Sequence, residues 1–317
     1  MKLREALELI RAARPETAES SRYLLACSST PVHTQTFLRA HLLRRRPGTG
    51  VQVDTSRYGD LLGSLDDFDP AGYSGVAVLA EWYDLDPRLG FRRLGGWAPS
   101  AFEEILAGVT AGLDRLRHSV ARISESAPVA LALPTLPLPP LEISAPAQAL
   151  DIETRLHRAI WAFAEDLVSL RGVRLASAAE LDRVSPPPDR FDLRAELAQG
   201  CPYRLPHASA VAGLLAALLI PAPALKGLIT DLDDTLWSGI LGEVGASGIQ
   251  FTLEGGAQIH GLYQQFLNSL AERGVLLAIA SKNDPARVGE ALSRPDLIVR
   301  RDSFFPVEAH WGPKSES

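Results

Sequence analysis

A chain of 317 residues, 46% hydrophobic and 22% charged, carries enough apolar material for a sizeable core, which excludes a disordered chain and makes two domains the natural expectation. Thirty-two Lys and Arg against 38 Asp and Glu leave a net charge of −6, so the basic face of a general nucleic-acid binder is not expected. Two cysteines, Cys27 and Cys201, are too few for a disulfide framework and point to a reducing, cytoplasmic setting.

The opening MKLREALELIRAAR is broken by Arg4, Glu5, Glu8 and Arg11, so it is not read as a signal peptide; Leu3, Leu7 and Ile10 share one face of an amphipathic helix. Strands are expected at 23–27, 51–53, 76–80, 129–133 and 173–176. Helices are expected between them at 34–44, 101–124 and 152–170, with a last one at 207–219. Residues 133–146, rich in Pro and Leu, read as an extended surface segment, and 185–190 (SPPPDR) as a loop. The longest apolar run, 208–219, is too short for a membrane span of about 18 residues. This alternation predicts an α/β fold with doubly wound parallel sheets. The prolines of IPAPALK, residues 220–226, mark a boundary between a domain at 1–220 and a second at 221–317.

The second domain opens with LKGLITDLDDTLW, residues 225–237, an apolar strand running into Asp231, Asp233 and Asp234, then Thr235. Ligands bind beyond the carboxyl ends of strands in open parallel sheets. Two carboxylates leaving a strand one residue apart repel unless a cation lies between them, and a hard ion such as Mg²⁺ takes such oxygens. One carboxylate can attack phosphorus, and the other can protonate the leaving oxygen and later activate water. Read alone, the same residues also form an acidic turn capping a helix. A helix at 257–273 leads into a strand at 275–280 that ends at Ser281, Lys282 and Asn283. Ser281 suits a phosphoryl oxygen, though a Ser there, like Asp284, also caps a following helix. Of only four lysines in the chain, Lys314 stands in WGPKS, where an ammonium could offset phosphoryl charge.

These segments resemble the haloacid dehalogenase superfamily, and within it the FkbH-like branch (HAD-IIIC): DLDDTLW, GILGE at 239–243, LLAIASKN at 276–283 and WGPKS at 311–315 occur in that branch's order. The resemblance implies an HAD-like Rossmannoid domain. It implies Asp231 as nucleophile, Asp233 as acid/base, Thr235 and Ser281 on the phosphate, and Lys314 as electrostatic stabiliser. Mg²⁺ would be held by Asp231 and the backbone carbonyl of Asp233. It also implies loading of a glyceryl unit from 1,3-bisphosphoglycerate onto an acyl carrier protein with loss of phosphate, for polyketide-type metabolism, away from nucleic acid and membrane. The branch's fourth motif, an acidic pair, is expected some twenty residues beyond Lys314. The sequence given stops at Ser317, as a truncated chain would, and Mg²⁺ binding without that pair is expected to be weak. Many members carry Cys before the motif-two Ser; Ala280 here removes a thioester route at that position.

FkbH-like proteins carry an SGNH-hydrolase-like domain ahead of the phosphatase, and residues 20–220 have the alternation of an SGNH or flavodoxin-like fold. Ser28 or Ser29 follows the first strand and His207 precedes the last helix, the order of a Ser–His pair for ester hydrolysis or acyl transfer. The GDS signature is absent, Arg204 stands where the orienting Asp belongs, and Glu81-Trp82-Tyr83-Asp84 replaces the Gly-x-Asn-Asp block. The competing expectation is a helix-capping Ser pair and a surface His207, in a domain that docks a carrier protein without catalysis. Arg44, Arg45 and Arg46 suit an acidic carrier, or simply a solvated helix end. His118, His157, His260 and His310 lack metal-ligand spacing and read as structural.

Overall fold

The computed structural model describes residues 1–13, 20–94, 98–140 and 150–313. The chain divides into two compact units, Met1–Ala222 and Pro223–Ser317. In unit 1 the elements run α1 (Leu3–Ala12), β1 (Ser20–Ala26), α2 (Val32–Arg45), β2 (Gly50–Thr55), α3 (Leu61–Asp66), β3 (Gly75–Leu79), α4 (Trp82–Leu85), α5 (Phe102–Ser124), β4 (Val129–Ala132), α6 (Asp151–Val168), β5 (Val173–Leu175), α7 (Ala178–Val184), α8 (Leu193–Gln199) and α9 (Leu205–Leu219).

Its strands form one parallel sheet in the order β2-β1-β3-β4-β5. Buried on both faces, β3 and β4 are apolar throughout, as is the second half of β1, and the period of two sorts their side chains into two cores. Leu24, Val76, Val78, Val129 and Leu131 pack with Leu65 of α3, Leu116 of α5 and Leu156 of α6. Leu25, Ala77, Leu79, Ala130 and Ala132 pack with Phe37 and Leu42 of α2 and Val211 and Leu215 of α9. The fold is therefore α/β with helices on both faces of a parallel sheet.

Four short helices, α3, α4, α7 and α8, were not expected from the sequence: at four to seven residues they are too short to show a helical period. Local caps set three of them, Asp60 accepting from Gly63 N, Ser177 from Glu180 N and Asp192 from Ala195 N. Residues 133–140 hold neither helix nor strand, in keeping with their prolines; the remainder of that expected segment, 141–146, lies outside the described residues.

Unit 2 runs β6 (Gly227–Thr230), α10 (Leu241–Gly248), α11 (Gln258–Glu272), β7 (Leu276–Ser281), α12 (Pro285–Leu292) and β8 (Phe304–Ala309). The three strands are parallel in the order β6-β7-β8. Leu232, Leu236, Trp237, Leu267, Leu277, Ile279 and Val288 form its core. β8 was not expected, because Phe304-Phe-Pro-Val-Glu-Ala carries a proline that reads against a strand. Asp284 accepts from Ala286 N and Arg287 N and so caps α12. No described helix is long and apolar enough to cross a membrane.

Candidate functional site

In unit 2, β6 and β7 lie side by side and point the same way, so the residues that follow each strand emerge at one edge. The loop after β6 is fixed by its apolar residues. Leu232, Leu236 and Trp237 are fully buried, and Thr235 N and Leu236 N donate to the Leu232 carbonyl. Asp234 takes the left-handed conformation, φ 50°, and its Oδ1 accepts from Gly239 N at 2.8 Å. Gly239 has φ 103°, which a side chain would strain. Asp234 is thus the turn former, and it frees Asp231 and Asp233 from that duty.

Asp233 accepts three hydrogen bonds: Trp237 Nε1 at 3.2 Å and Leu241 N at 3.1 Å on Oδ1, and Asn283 Nδ2 at 2.9 Å on Oδ2. Leu241 N opens α10, so the carboxyl group sits at a helix N-terminus. Asn283 Nδ2 also donates to Ser281 Oγ at 3.0 Å. Both Ser281 and Asn283 are buried, at 4% and 2% exposure, so this amide welds the two strand tips together. Asp231 Oδ1 accepts from Leu232 N at 2.8 Å, and its carbonyl accepts from Thr230 Oγ1, itself a partner of Tyr263 OH. Thr235 is half-buried, its carbonyl held by His260 Nδ1 at 2.9 Å, which gives that histidine a structural task. The structure therefore gathers Asp231, Asp233 and Ser281 at one edge. Lys314 lies outside the described residues.

Asn283 has no role legible in the sequence beyond being a second polar residue two positions past Ser281. Among the described residues no group of three or more His, Cys, Asp or Glu could hold a metal. The donors present fit Mg²⁺ in the sparser way it usually binds, through one or two carboxylates, with water and substrate phosphate completing the shell. The Asp231 carboxylate and the Asp233 carbonyl are hard oxygens of that kind, whereas both Asp233 carboxyl oxygens already face N–H donors.

In unit 1 the expected Ser–His pair is not formed. His207 is fully buried, which corrects the expectation of a surface histidine. Its Nε2 lies 2.9 Å from Thr135 Oγ1 and its Nδ1 3.0 Å from Ser185 Oγ, so neither nitrogen serves Ser28 or Ser29. Burial lowers its pKa to about 3, with Arg190 adding to the shift. Thr135 Oγ1 in turn donates to Glu81, a fully buried carboxyl that also accepts from Thr135 N, Leu136 N and Tyr203 OH. A neutral His207 with its proton on Nε2 satisfies this chain: Ser185 to His207, His207 to Thr135, Thr135 to Glu81. Glu81 passed unnoticed as a buried anchor because its partners lie 54, 55 and 122 positions away.

Ser28 Oγ accepts from Leu61 N at 3.0 Å, so it does cap a helix, though α3 rather than the one it precedes. Ser29 Oγ has no partner. Arg204, in place of the orienting carboxylate, is exposed and donates to the Phe191 carbonyl. Burial pushes the Cys27 thiol up to about 12, which makes it inert. The arginine run is spent within unit 1: Arg45 donates to the Ile220 carbonyl, Arg46 to Ser21, and Arg44 lies 3.8 Å from Glu5.

No protein-family model matches the sequence, and a comparison with curated proteins gave no match. Among solved structures, the chain is similar over its whole length to the N-terminal part of BF1531 from Bacteroides fragilis, which contains a phosphatase domain and was crystallised with Mg. The TM-score is 0.72 at 14% identity, with 83% of that chain covered. About two thirds of the chain is also similar to two lipolytic enzymes. An extracellular lipase from Streptomyces rimosus matches 63% of the chain (TM-score 0.36, 14% identity), and phospholipase A1 from Streptomyces albidoflavus matches 64% (TM-score 0.41, 12% identity); each is covered over 100% of its own length. At 14% identity the likeness to BF1531 shows a shared α/β fold.

Proposed function

We propose that unit 2 is a Mg²⁺-dependent phosphoryl-transfer centre of the haloacid dehalogenase type, working through an aspartyl-phosphate. The observation that carries this reading is the Asn283 amide, which ties Asp233 to Ser281 and so places both strand tips around Asp231. Asp231 attacks the phosphorus of a phosphate ester or acyl phosphate as the bond to the leaving oxygen breaks. Asp233, oriented by its three N–H donors, gives its proton to that oxygen. In the second half Asp233 takes a proton from water, the hydroxide oxygen bonds to phosphorus, and Asp231 and inorganic phosphate separate. Ser281 donates to a phosphoryl oxygen throughout. Mg²⁺ bound by Asp231 and the Asp233 carbonyl would offset the charge of carboxylate meeting phosphate. The test is a crystal soaked with beryllofluoride and Mg²⁺, expected to show the fluoride adduct on Asp231; a bare Asp231 would sink the reading.

The finer reading, on the FkbH-like resemblance, is that the phosphorylated substrate is 1,3-bisphosphoglycerate-like and the acceptor an acyl carrier protein. In that reading the carrier's thiol attacks the acyl carbon and expels the acyl phosphate as inorganic phosphate, forming the thioester, and Asp231 then removes the remaining ester phosphate by the two steps above. Incubating enzyme, substrate and carrier is expected to shift the carrier's mass by one glyceryl unit. Asn283 is a positioning residue here. Asn283→Ala is expected to lower kcat by about 10–100-fold and to shift the pH profile of kcat, which Asn283→Asp should partly restore by presenting an oxygen that shares a proton with Asp233.

A Ser–His esterase in unit 1 is the alternative, and the buried, fully engaged His207 speaks against it. A fluorophosphonate probe is expected to leave Ser28 and Ser29 unlabelled, as read by mass spectrometry of the corresponding peptide.

A further inference from the structure

Unit 1 contains a crevice of about 440 Å³ that the phosphoryl-transfer reading does not use. Its position follows from the winding. From β1 the chain passes outward to β2 and returns on the other side as β3, so the segments after β1 and β3 part company at the carboxyl edge of the sheet. Ser28 and Ser29 come from the first segment, Tyr83 and Asp84 from the second, and all four line the crevice.

Two buried polar atoms there have no hydrogen-bond partner: Ser29 Oγ and Asp84 Oδ1. Such an orphan costs about 1–3 kcal/mol, and folded chains keep few of them without a reason. The neighbouring groups are already committed. Asp84 Oδ2 accepts from Glu81 N at 2.7 Å, and Ser28 Oγ accepts from the Leu61 amide while its hydroxyl also faces the Asp84 carboxyl. What remains on the floor is one acceptor and one hydroxyl, a pair that an incoming O–H satisfies together. Burial also raises the Asp84 carboxyl to about 7, so near neutrality about half of it is protonated and repels an anion less than a free carboxylate would.

The lining carries three arginines, Arg92, Arg93 and Arg115, beside the acidic Asp60, Asp84 and Glu196, and Arg57 lies 4.0 Å from Asp60. Arg115 is paired with Asp66, and Arg92 is paired with Glu196 while donating to Tyr58 OH. Arg93 makes no ion pair or hydrogen bond among the described residues, and it too lines the crevice. An uncommitted guanidinium lining the same crevice as two unsatisfied polar atoms is a complementary arrangement for one kind of molecule.

We propose that the crevice between β1 and β3 binds a small organic anion bearing a hydroxyl group, the hydroxyl on Asp84 and Ser29 and the anionic group on Arg93. Because His207 is engaged elsewhere, the site binds this molecule without hydrolysing it. The anion is a phosphate or a carboxylate, and both arms belong in the test.

Titration calorimetry without added metal, on the Asp231→Asn chain so that unit 2 does not turn over, would use sn-glycerol 3-phosphate and glycerate as probes. Glycerol and inorganic phosphate would be the controls. One or both probes should bind with a Kd at or below the millimolar range, at least about tenfold tighter than either control. Adding Ser29→Ala or Arg93→Ala should weaken binding by about tenfold each, and Arg93→Lys by less. Ser29→Ala removes an unpartnered hydroxyl, so its Tm should hold or rise, which keeps lost binding distinct from lost folding. Binding of neither probe, controls as tight as the probes, or affinity untouched by both alanine substitutions would each overturn the assignment.

Discussion

Asp231→Asn is expected to lower Mg²⁺-dependent phosphate release by about a thousandfold or more with only a small change in Tm, because it removes the nucleophile while keeping the side chain's shape. The substitution is isosteric. An Asn at 231 keeps an oxygen for the Leu232 amide, the 2.8 Å contact that fixes the side chain, and the backbone bond from Thr230 is untouched. The amide nitrogen it introduces cannot displace a leaving group from phosphorus. Asp233→Asn is a less clean experiment for a reason visible in the geometry. Trp237 Nε1, Leu241 N and Asn283 Nδ2 all donate to that side chain, two on one oxygen and one on the other. An amide at 233 must turn an N–H toward a donor unless Asn283 flips, which would make Ser281 donate to the Asn283 oxygen instead of to a phosphoryl oxygen. Loss of activity there mixes lost acid/base chemistry with a shifted Ser281, so a smaller fall with a changed KM is expected. Phosphate release assayed on both variants beside wild type, with thermal melts, separates the two. Undiminished release by Asp231→Asn would remove the role assigned to that residue.

Glu81→Ala is expected to destabilise unit 1 by about 3–5 kcal/mol, since it strands two buried backbone amides and two hydroxyls that share one carboxyl group. At roughly 2–4 °C per kcal/mol for a domain of this size, its melting transition falls by about 6–20 °C. Glu81→Gln should behave differently. The Gln oxygen can face the Thr135 and Leu136 amides, and its NH₂ can donate to Thr135 Oγ1 and Tyr203 OH. Thr135 then donates to His207 Nε2, and His207 moves its proton to Nδ1 to donate to Ser185. The chain of hydrogen bonds reverses without an orphan, so Gln is expected to be tolerated.

The Gln variant also isolates a pH effect. Burial raises the Glu81 carboxyl from 4.5 to about 7, so between those values the folded state holds a proton that the unfolded state has released. Wild type therefore loses stability through Glu81 as pH rises from about 4.5 to about 7, and the loss levels off above that. His207 and His41, lowered to about 3 and about 4, act in the opposite sense: the folded state keeps them neutral, and their contribution is lost as pH falls below about 6.5. Melts at pH 5, 6, 7 and 8 should show the Glu81→Gln minus wild-type Tm difference growing up to about pH 7 and then flat. A difference independent of pH would mean Glu81 titrates alike in both states.

The layered α/β character, the break near residue 222 and the acidic tip of β6 were legible in the sequence because each is written in neighbouring residues. Strands such as Val76–Val78 are apolar without interruption because both faces are covered, and α5 shows its apolar stripe over six turns. Short helices and β8 were not, since four to seven residues hold no period and a proline masks a strand. Within the site, the sequence by itself determined that Asp231, Asp233 and Ser281 lie at or just past the carboxyl ends of strands. Only the tertiary structure decided that Asn283 joins two of them, that Asp234 makes the turn, and that His207 serves Thr135 and Ser185 instead of a nucleophile. The physical reason is range. Strand and helix propensities act between adjacent residues, whereas a hydrogen bond between positions 135 and 207 exists only after the sheet has brought their elements together, and burial then fixes which partner each polar atom must take.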